Sequence, residues 1–328
     1  TLYRDVMACV RSIDRMRELK PEYLVPSHTG PVGGAGAVAD LLTAYRDASQ
    51  YVHDQTIRGI NQGMNPDQLA HSVQLPKQLR EHPWLLEHYG TVAWSVRNIF
   101  NGYLGWFGGD AAFLDPVSDA ERGSRIVALA GGTAAALAAL DQAQADGDDR
   151  WTAELASHLI AAGEDTGRVR SAKAGALRRL GFASVSPNGR HYYLTQALEL
   201  EGEVRLEPSP ISDDKLDFAK TLPMADILSS LPVNLVPDKA EGKSAALSID
   251  FTDTGQSFTV TVRNQVAELR PGADSSADIQ LTTASGTWVE ILLGVRGVPG
   301  ALASGDIELA GGLGDVPGLV SFLLMFRD

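Results

Sequence analysis

The chain has 328 residues, 44% hydrophobic and 21% charged, which fits two or three globular domains with cores large enough to need no covalent staples. Its 41 acidic residues against 28 basic ones give a net charge of −13, which argues against a nucleic-acid binder and against a broad attraction to anionic membranes. The single cysteine, Cys9, excludes an intramolecular disulfide, and no segment approaches the roughly 20 apolar residues that span a bilayer.

The first element is an amphipathic helix. Leu2, Val6, Cys9, Val10, Ile13, Met16 and Leu19 recur at spacings of three and four and define one buried face running to about Lys20, with Cys9 in a packing role. Pro21 stops it. A short strand, Tyr23–Val25, then runs into Pro26 and a Gly/Pro loop carrying His28. Helix, strand and loop histidine read as the last unit of an α/β layer whose remainder lies elsewhere. The chain starts at Thr1 already inside the helical pattern, so it is expected to be a fragment or processed product, and its compartment stays open.

Pro31 to Gly36 reads as a flexible connection, without the spacing of a phosphate loop. Helices are expected from Val38 to about Leu200. Ala37–Asn61 is a long one, ended by Gly63 and restarted at Asn65-Pro66, where Asn65 caps and Pro66 suits the first turn. Glu81–Trp106 reads as one or two helices rich in aromatics. Ser118–Gly132, Thr133–Ala145, Arg150–Ala161 and Thr166–Leu180 read as short helices of a bundle, with the alanine-rich Ala134–Ala139 face allowing close approach. Glu203–Ser212 is a charged, proline-bearing linker.

The pattern then changes to period two. Antiparallel strands are expected at Ala245–Phe251, around Phe258, Val260 and Val262, at Val266–Leu269 and at Ile279–Thr283. Helices at Ser285–Leu293 and Val298–Ala303, a strand at Asp306–Leu309 and a helix at Val316–Phe326 complete an α+β module with helices against one sheet face.

The seven histidines are His28, His53, His71, His82, His88, His158 and His191, and no pair has the spacing that brings two imidazoles onto one metal. His28, at the mouth of a strand, reads as the last ligand of a metal site whose other ligands lie upstream of Thr1. The adjacent His53-Asp54 could orient a neighbouring group. There is no nucleophile elbow for a serine hydrolase. In the segment from Tyr89 to Arg97 a phenol and a guanidinium, eight residues apart, would share a helix face and suit an oxyanion such as sulfate or phosphate; the alternative is a packed tyrosine and an ion-paired arginine.

Several segments carry a family resemblance. Leu24-Val-Pro-Ser-His-Thr-Gly-Pro31, Tyr45-Arg-Asp-Ala48, Tyr51-Val-His-Asp-Gln-Thr-Ile-Arg58, Tyr89-Gly-Thr-Val92 and Tyr103-Leu-Gly-Trp-Phe107 resemble the alkylsulfatases of the metallo-β-lactamase superfamily. So do Leu129-Ala-Gly-Gly132, Asn188-Gly-Arg-His-Tyr-Tyr-Leu-Thr195 and Ala197-Leu-Glu-Leu200. Residues 213–328 resemble the sterol-carrier-protein-2-like domain that ends such enzymes, on strand and helix order and on Val262-Arg-Asn264. The resemblance implies a multi-domain chain: residues 1–36 as the remnant of an α/β metallo-β-lactamase fold, 37–202 as an α-helical dimerisation domain, 203–212 as a linker and 213–328 as an α+β sterol-carrier-protein-2-like domain.

That resemblance implies the C-terminal portion of a zinc-dependent alkylsulfatase, which converts alkyl sulfate esters to alcohol and sulfate. His28 matches the final zinc ligand, Tyr89 a tyrosine near the bound sulfate, and Arg97 a neighbour in the same motif. The His-x-His-x-Asp-His motif, the glutamate ligands and the acid for the leaving group are absent, so no catalytic residue is assigned in this chain, and the segment alone is expected to hold no zinc and to be inactive. The helical domain would form a homodimer and meet the missing metallo-hydrolase portion. The C-terminal domain would present an alkyl chain in a groove of Val260, Val262, Trp288, Leu292, Leu293, Phe322 and Met325, residues that would otherwise be ordinary core. The alternative function is a non-catalytic dimerising module that binds lipid or detergent alkyl chains.

Overall fold

The structure, a computed structural model, describes residues 4–205 and 211–327. Two compact units divide the chain, residues 1–206 and 207–328.

The first unit opens with α1 (Val6–Glu18), started by the Asp5 carboxylate, which accepts from the Ala8 backbone N–H at 3.0 Å. Its buried face is narrower than the spacing predicts. Val10 and Ile13 are buried, but Cys9, Met16 and Leu19 are exposed, and Leu2 lies outside the described residues. Cys9 falls one helical step, about 100°, to the side of Val10. Strand β1 (Tyr23–Leu24) follows, one residue shorter than expected, and pairs antiparallel with β2 (Val32–Gly33). The connection read as a flexible loop therefore contains a strand, and His28 sits at the tip between the two. A helix and a two-strand ribbon do not by themselves make a metallo-β-lactamase fold, and the remnant expected over residues 1–36 is not shown.

Helix α2 (Ala35–Asn61) runs 27 residues, with Val38, Leu41, Leu42, Ala48, Val52 and Thr56 along its buried stripe. Gly59 lets α3 (Pro66–Ser72) approach, because a methyl there would collide with Leu69. Asn65 and Gln68 form a reciprocal capping box at the start of α3, with bonds of 2.8 and 3.0 Å. After the short α4 (Lys77–Arg80) the helical reading of Glu81–Trp106 fails in its first half. Only α5 (Val92–Leu104) forms, capped by Thr91, while residues 81–91, broken by Pro83 and Gly90, are turns. Helices α2, α3 and α5 share a core of Val52, Leu69, Val73, Val96, Ile99 and Phe100.

Helices α6 (Asp119–Leu129), α7 (Thr133–Ala145), α8 (Asp149–Ala161), α9 (Gly167–Ala183) and α10 (Pro187–Glu201) make the expected bundle. Its core holds Val127, Ala136, Leu140, Leu155, Ala156, Leu159 and Val169. Helices α6 and α8 pass close together at Gly123, where a methyl would stand 2.5 Å from the His158 carbonyl. Gly202, left-handed at φ 77°, ends α10.

The second unit begins with four short helices that period-based reading missed: α11 (Asp213–Thr221), α12 (Met224–Leu228), α13 (Leu231–Asn234) and α14 (Pro237–Ala240). Each is under three turns, and Pro223, Pro232 and Pro237 separate or start them, so no long stripe exists to be read. Strands β3 (Ala245–Phe251), β4 (Ser257–Arg263), β5 (Val266–Pro271), β6 (Ile279–Thr283) and β7 (Ile307–Leu309) form one sheet in the order β5-β4-β3-β6-β7. The β4–β5 hairpin turns on Asn264 (φ 50°) and Gln265 (φ 60°), the left-handed pair of a two-residue turn. The sheet is mixed, not antiparallel throughout: β3 and β6 run parallel, with Ile249 opposite Leu281. Helices α15 (Ser285–Leu292), α16 (Val298–Ala303) and α17 (Val316–Leu324) complete the unit. One sheet face enters a core with Leu247, Ile249, Val260, Val262, Leu281, Trp288 and Phe322. On the other face the buried hydroxyls of Ser248 and Thr259 bond to Asp274 N–H and the Gly272 carbonyl.

Among the described residues no single helix is long and apolar enough to cross a membrane.

Candidate functional site

The first unit carries an open cleft of about 1260 Å³ between α5 and the α9–α10 hairpin. Tyr89 and Arg97 both line it, with Trp94, Asn98, Asn188 and His191. They come together for a different reason than helical spacing. Tyr89 precedes the Thr91 cap and is on no helix; the residue is 77% exposed. Its carbonyl accepts from the Ser186 hydroxyl at 2.8 Å and the Asn188 amide at 3.2 Å, which pins the loop against the start of α10. Gly189 takes part in the same contact, since a methyl there would stand 3.1 Å from the Trp94 ring.

Arg97 projects from α5. Its guanidinium pairs with Asp67 at 2.9 Å and donates to the Pro66 carbonyl at 3.4 Å. The ion-paired reading of this arginine therefore holds, and its side chain is still 44% exposed to the cleft and solvent. An arginine fixed by one carboxylate keeps further N–H donors for a second anion. His191 adds a second cation-capable group to the lining, and Glu199 is the only carboxylate among the residues that line the cleft. The lining can therefore hold an oxyanion at Arg97 and stack an apolar body on Trp94 and the tyrosines.

His28 is exposed at its loop tip, and no hydrogen bond engages it among the described residues. Among those residues no group of three or more His, Cys, Asp or Glu side chains could hold a metal ion. One imidazole does not fit a metal centre by itself.

The seven groove candidates of the second unit separate into two sets. Val260, Val262, Trp288, Phe322 and Met325 are within the closed core, and the Trp288 indole N–H has no hydrogen-bond partner. Leu292, half-buried, and Leu293, exposed, line a cavity of about 160 Å³ with Leu231, Ile227, Leu323 and Phe326. That volume is close to the roughly 150 Å³ that admits a single small apolar ring, too little for a long alkyl chain without opening the core.

A further cluster joins α2 and α5. His53 bonds the Asp54 carboxylate through Nδ1 and the Tyr103 hydroxyl through Nε2, both at 2.8 Å, and the Gln50 amide donates to the other Asp54 oxygen at 3.1 Å. Burial pushes the Asp54 carboxyl up, but the bonds from His53 and Gln50 and the nearby charges of His53 and Arg46 outweigh it and hold the group below its usual range. The His53-Asp54 pair was visible in the sequence, but Tyr103, fifty residues on, was not.

Residues 65–203 match the family model described as alkyl sulfatase dimerisation, and residues 212–328 match the alkyl sulfatase C-terminal model. The chain is 37% identical over 327 residues to a linear primary-alkylsulfatase of Pseudomonas sp., covering 96% of this chain and 61% of that protein. It is 30% identical over 313 residues to an (R)-specific secondary-alkylsulfatase of Pseudomonas sp., covering 94% of this chain and 47% of the relative. The solved structure of the stereoselective inverting sec-alkylsulfatase Pisa1 from Pseudomonas sp. superposes on all of this chain and 52% of its own, with a TM-score of 0.90 at 28% identity. The chain thus spans about half the length of the relatives it matches. It carries the alkyl sulfatase dimerisation domain followed by the alkyl sulfatase C-terminal domain.

Proposed function

We propose that this chain is the C-terminal portion of a zinc-dependent alkylsulfatase, a sulfuric ester hydrolase that converts alkyl sulfate esters to alcohol and sulfate. The observation that carries the reading is the structural match to a sec-alkylsulfatase over the whole of this chain. His28 is proposed as one zinc ligand, the others lying in residues outside this sequence; with a single exposed imidazole here, no step of the reaction is assigned to the metal. Arg97 and Tyr89 are proposed on the sulfate side. The Arg97 guanidinium offers directed N–H donors to the sulfate oxygens, and its pairing with Asp67 fixes the direction it points. The helical unit is proposed to join two subunits as a homodimer, in keeping with the dimerisation model that matches it. In the second unit Leu292 and Leu293 are proposed as the alkyl contact, with Trp288, Val260, Val262, Phe322 and Met325 reached only if the core opens.

The test is sulfate release from dodecyl sulfate by the intact gene product. Arg97→Ala is expected to lower kcat/KM by about 100-fold, the size of a lost transition-state donor. Wild-type rates in that variant would remove Arg97 from the site.

A further inference from the structure

Residues 104–118, which join α5 to α6, hold six large apolar side chains and only two charges, Asp110 and Asp115. Five of the six are exposed: Leu104, Trp106, Phe113, Leu114 and Val117, with Trp106 at 72% and Phe113 at 58%. Only Phe107 is half-buried. None of the five belongs to a core cluster among the described residues. The backbone, by contrast, is fastened. Gly105 and Gly109 take positive φ angles of 78° and 95°, where a side chain would be strained. The Gly105 N–H donates to the Asn101 carbonyl at 2.9 Å, and a methyl at Gly108 would stand 3.4 Å from the Pro66 ring. The Asp110 carboxylate accepts from the Ala112 N–H at 3.0 Å and caps a single 3-10 turn, Ala111–Phe113. At the far end Arg122 donates to the Val117 carbonyl at 3.4 Å. The segment is therefore tied to its unit through the main chain while its apolar side chains face outward.

We propose that residues 104–118 are a dimerisation arm whose apolar side chains are buried by a second copy of this chain. Three observations favour that partner. The family model described as alkyl sulfatase dimerisation covers residues 65–203 and so contains the whole arm. The side chains are of the kind, and offer the area, that an interface core uses. Trp and Phe are enriched there and act as anchors. Five apolar side chains at roughly half exposure, each of about 150 Å² or more, offer on the order of 400 Å² per copy. That is roughly half of the ~800 Å² that a standard interface takes from each partner, and more than a monomer usually leaves in water. Finally, both charges on the arm are negative, in a chain of net charge −13, which disfavours an anionic lipid surface as the alternative cover. In a two-fold dimer the same patch is used by both copies, so one substitution removes its contact twice. The proposal rests on the homodimer reading and adds where the two copies meet.

The experiment is sedimentation of the full 328-residue chain across a concentration series, with amide hydrogen exchange on the same samples. The parent is expected at twice its monomer mass. Trp106→Asp and Phe113→Asp are each expected to raise the dimer Kd by about 100-fold or more, the size of an anchor lost on both sides. Their circular dichroism should match the parent's, because neither side chain belongs to a core. Val233→Asp, on the second unit and 83% exposed in the parent, is the control and is expected to leave the Kd unchanged. In the parent itself, amides of residues 104–118 are expected to exchange more slowly above the Kd than below it. A dimer that survives both arm variants, that is weakened equally by Val233→Asp, or whose arm exchanges equally at both concentrations would overturn the arm and leave the homodimer standing. A monomeric parent would overturn the homodimer reading and the arm with it. Protection of the arm that appears only in the intact gene product, or only on phosphatidylcholine vesicles, would assign it to a different partner and likewise overturn the proposal.

Discussion

A single aspartate ties the sheet of the second unit to its helices. Asp253, in the β3–β4 turn, accepts from the Ser285 backbone N–H at 2.9 Å and from its hydroxyl at 2.6 Å, at the start of α15. Those bonds outweigh burial and hold the carboxyl below its ordinary range. With the folded value depressed, the stabilisation is present above the unfolded value, about pH 3.9, and is lost as pH falls through the folded one. Asp253→Asn is therefore expected to lower the urea midpoint at neutral pH by an amount equivalent to about 1 kcal/mol or less, given its exposure. The difference from the parent should disappear in acid. A difference that persists unchanged at low pH would mean that the charge is not what matters. Arg97→Lys is the matching test in the cleft. A lysine keeps the charge but lacks the planar fork, so it should recover little of the activity lost in Arg97→Ala.

Elements show why some of the chain was legible and some was not. Asn65-Pro66 announced α3 correctly, because a cap and a helix-compatible proline are local chemistry; Asn65→Ala should cost about 1 kcal/mol in thermal or urea unfolding. Strand alternation in Val260 and Val262 likewise needs only neighbours. The parallel pairing of β3 with β6 joins residues some thirty apart, which no local period encodes. The turns at residues 81–91 look helical by composition, and Pro83 and Gly90 override it. Tyr89 and Arg97 were linked through a helix face that does not exist; a hydrogen-bonded loop brings them to one cleft. Five of the seven groove candidates lie in the buried core, Val260 and Val262 on β4, Trp288 on α15, and Phe322 and Met325 on and just after α17. Between α6 and α8 the decisive residue is a glycine, which carries no periodic signal. Gly123→Val should drive a side chain into the His158 carbonyl and cost about 1–3 kcal/mol, read as a lowered unfolding midpoint; unaltered stability would mean that the helices are farther apart than described.

On the scale of the molecule, two units with separate cores accompany a family match that extends across both. The helical unit offers the polar cleft and the second unit an apolar core, so anion and alkyl recognition would fall on different units. His28 is the residue proposed to reach a metal centre, and among the described residues no group of three or more His, Cys, Asp or Glu side chains could hold one. The most direct measurement is zinc content and sulfate release for the intact gene product and its His28→Ala variant. The account predicts that the variant loses bound zinc together with turnover of dodecyl sulfate. Full zinc occupancy with wild-type turnover in His28→Ala would contradict it.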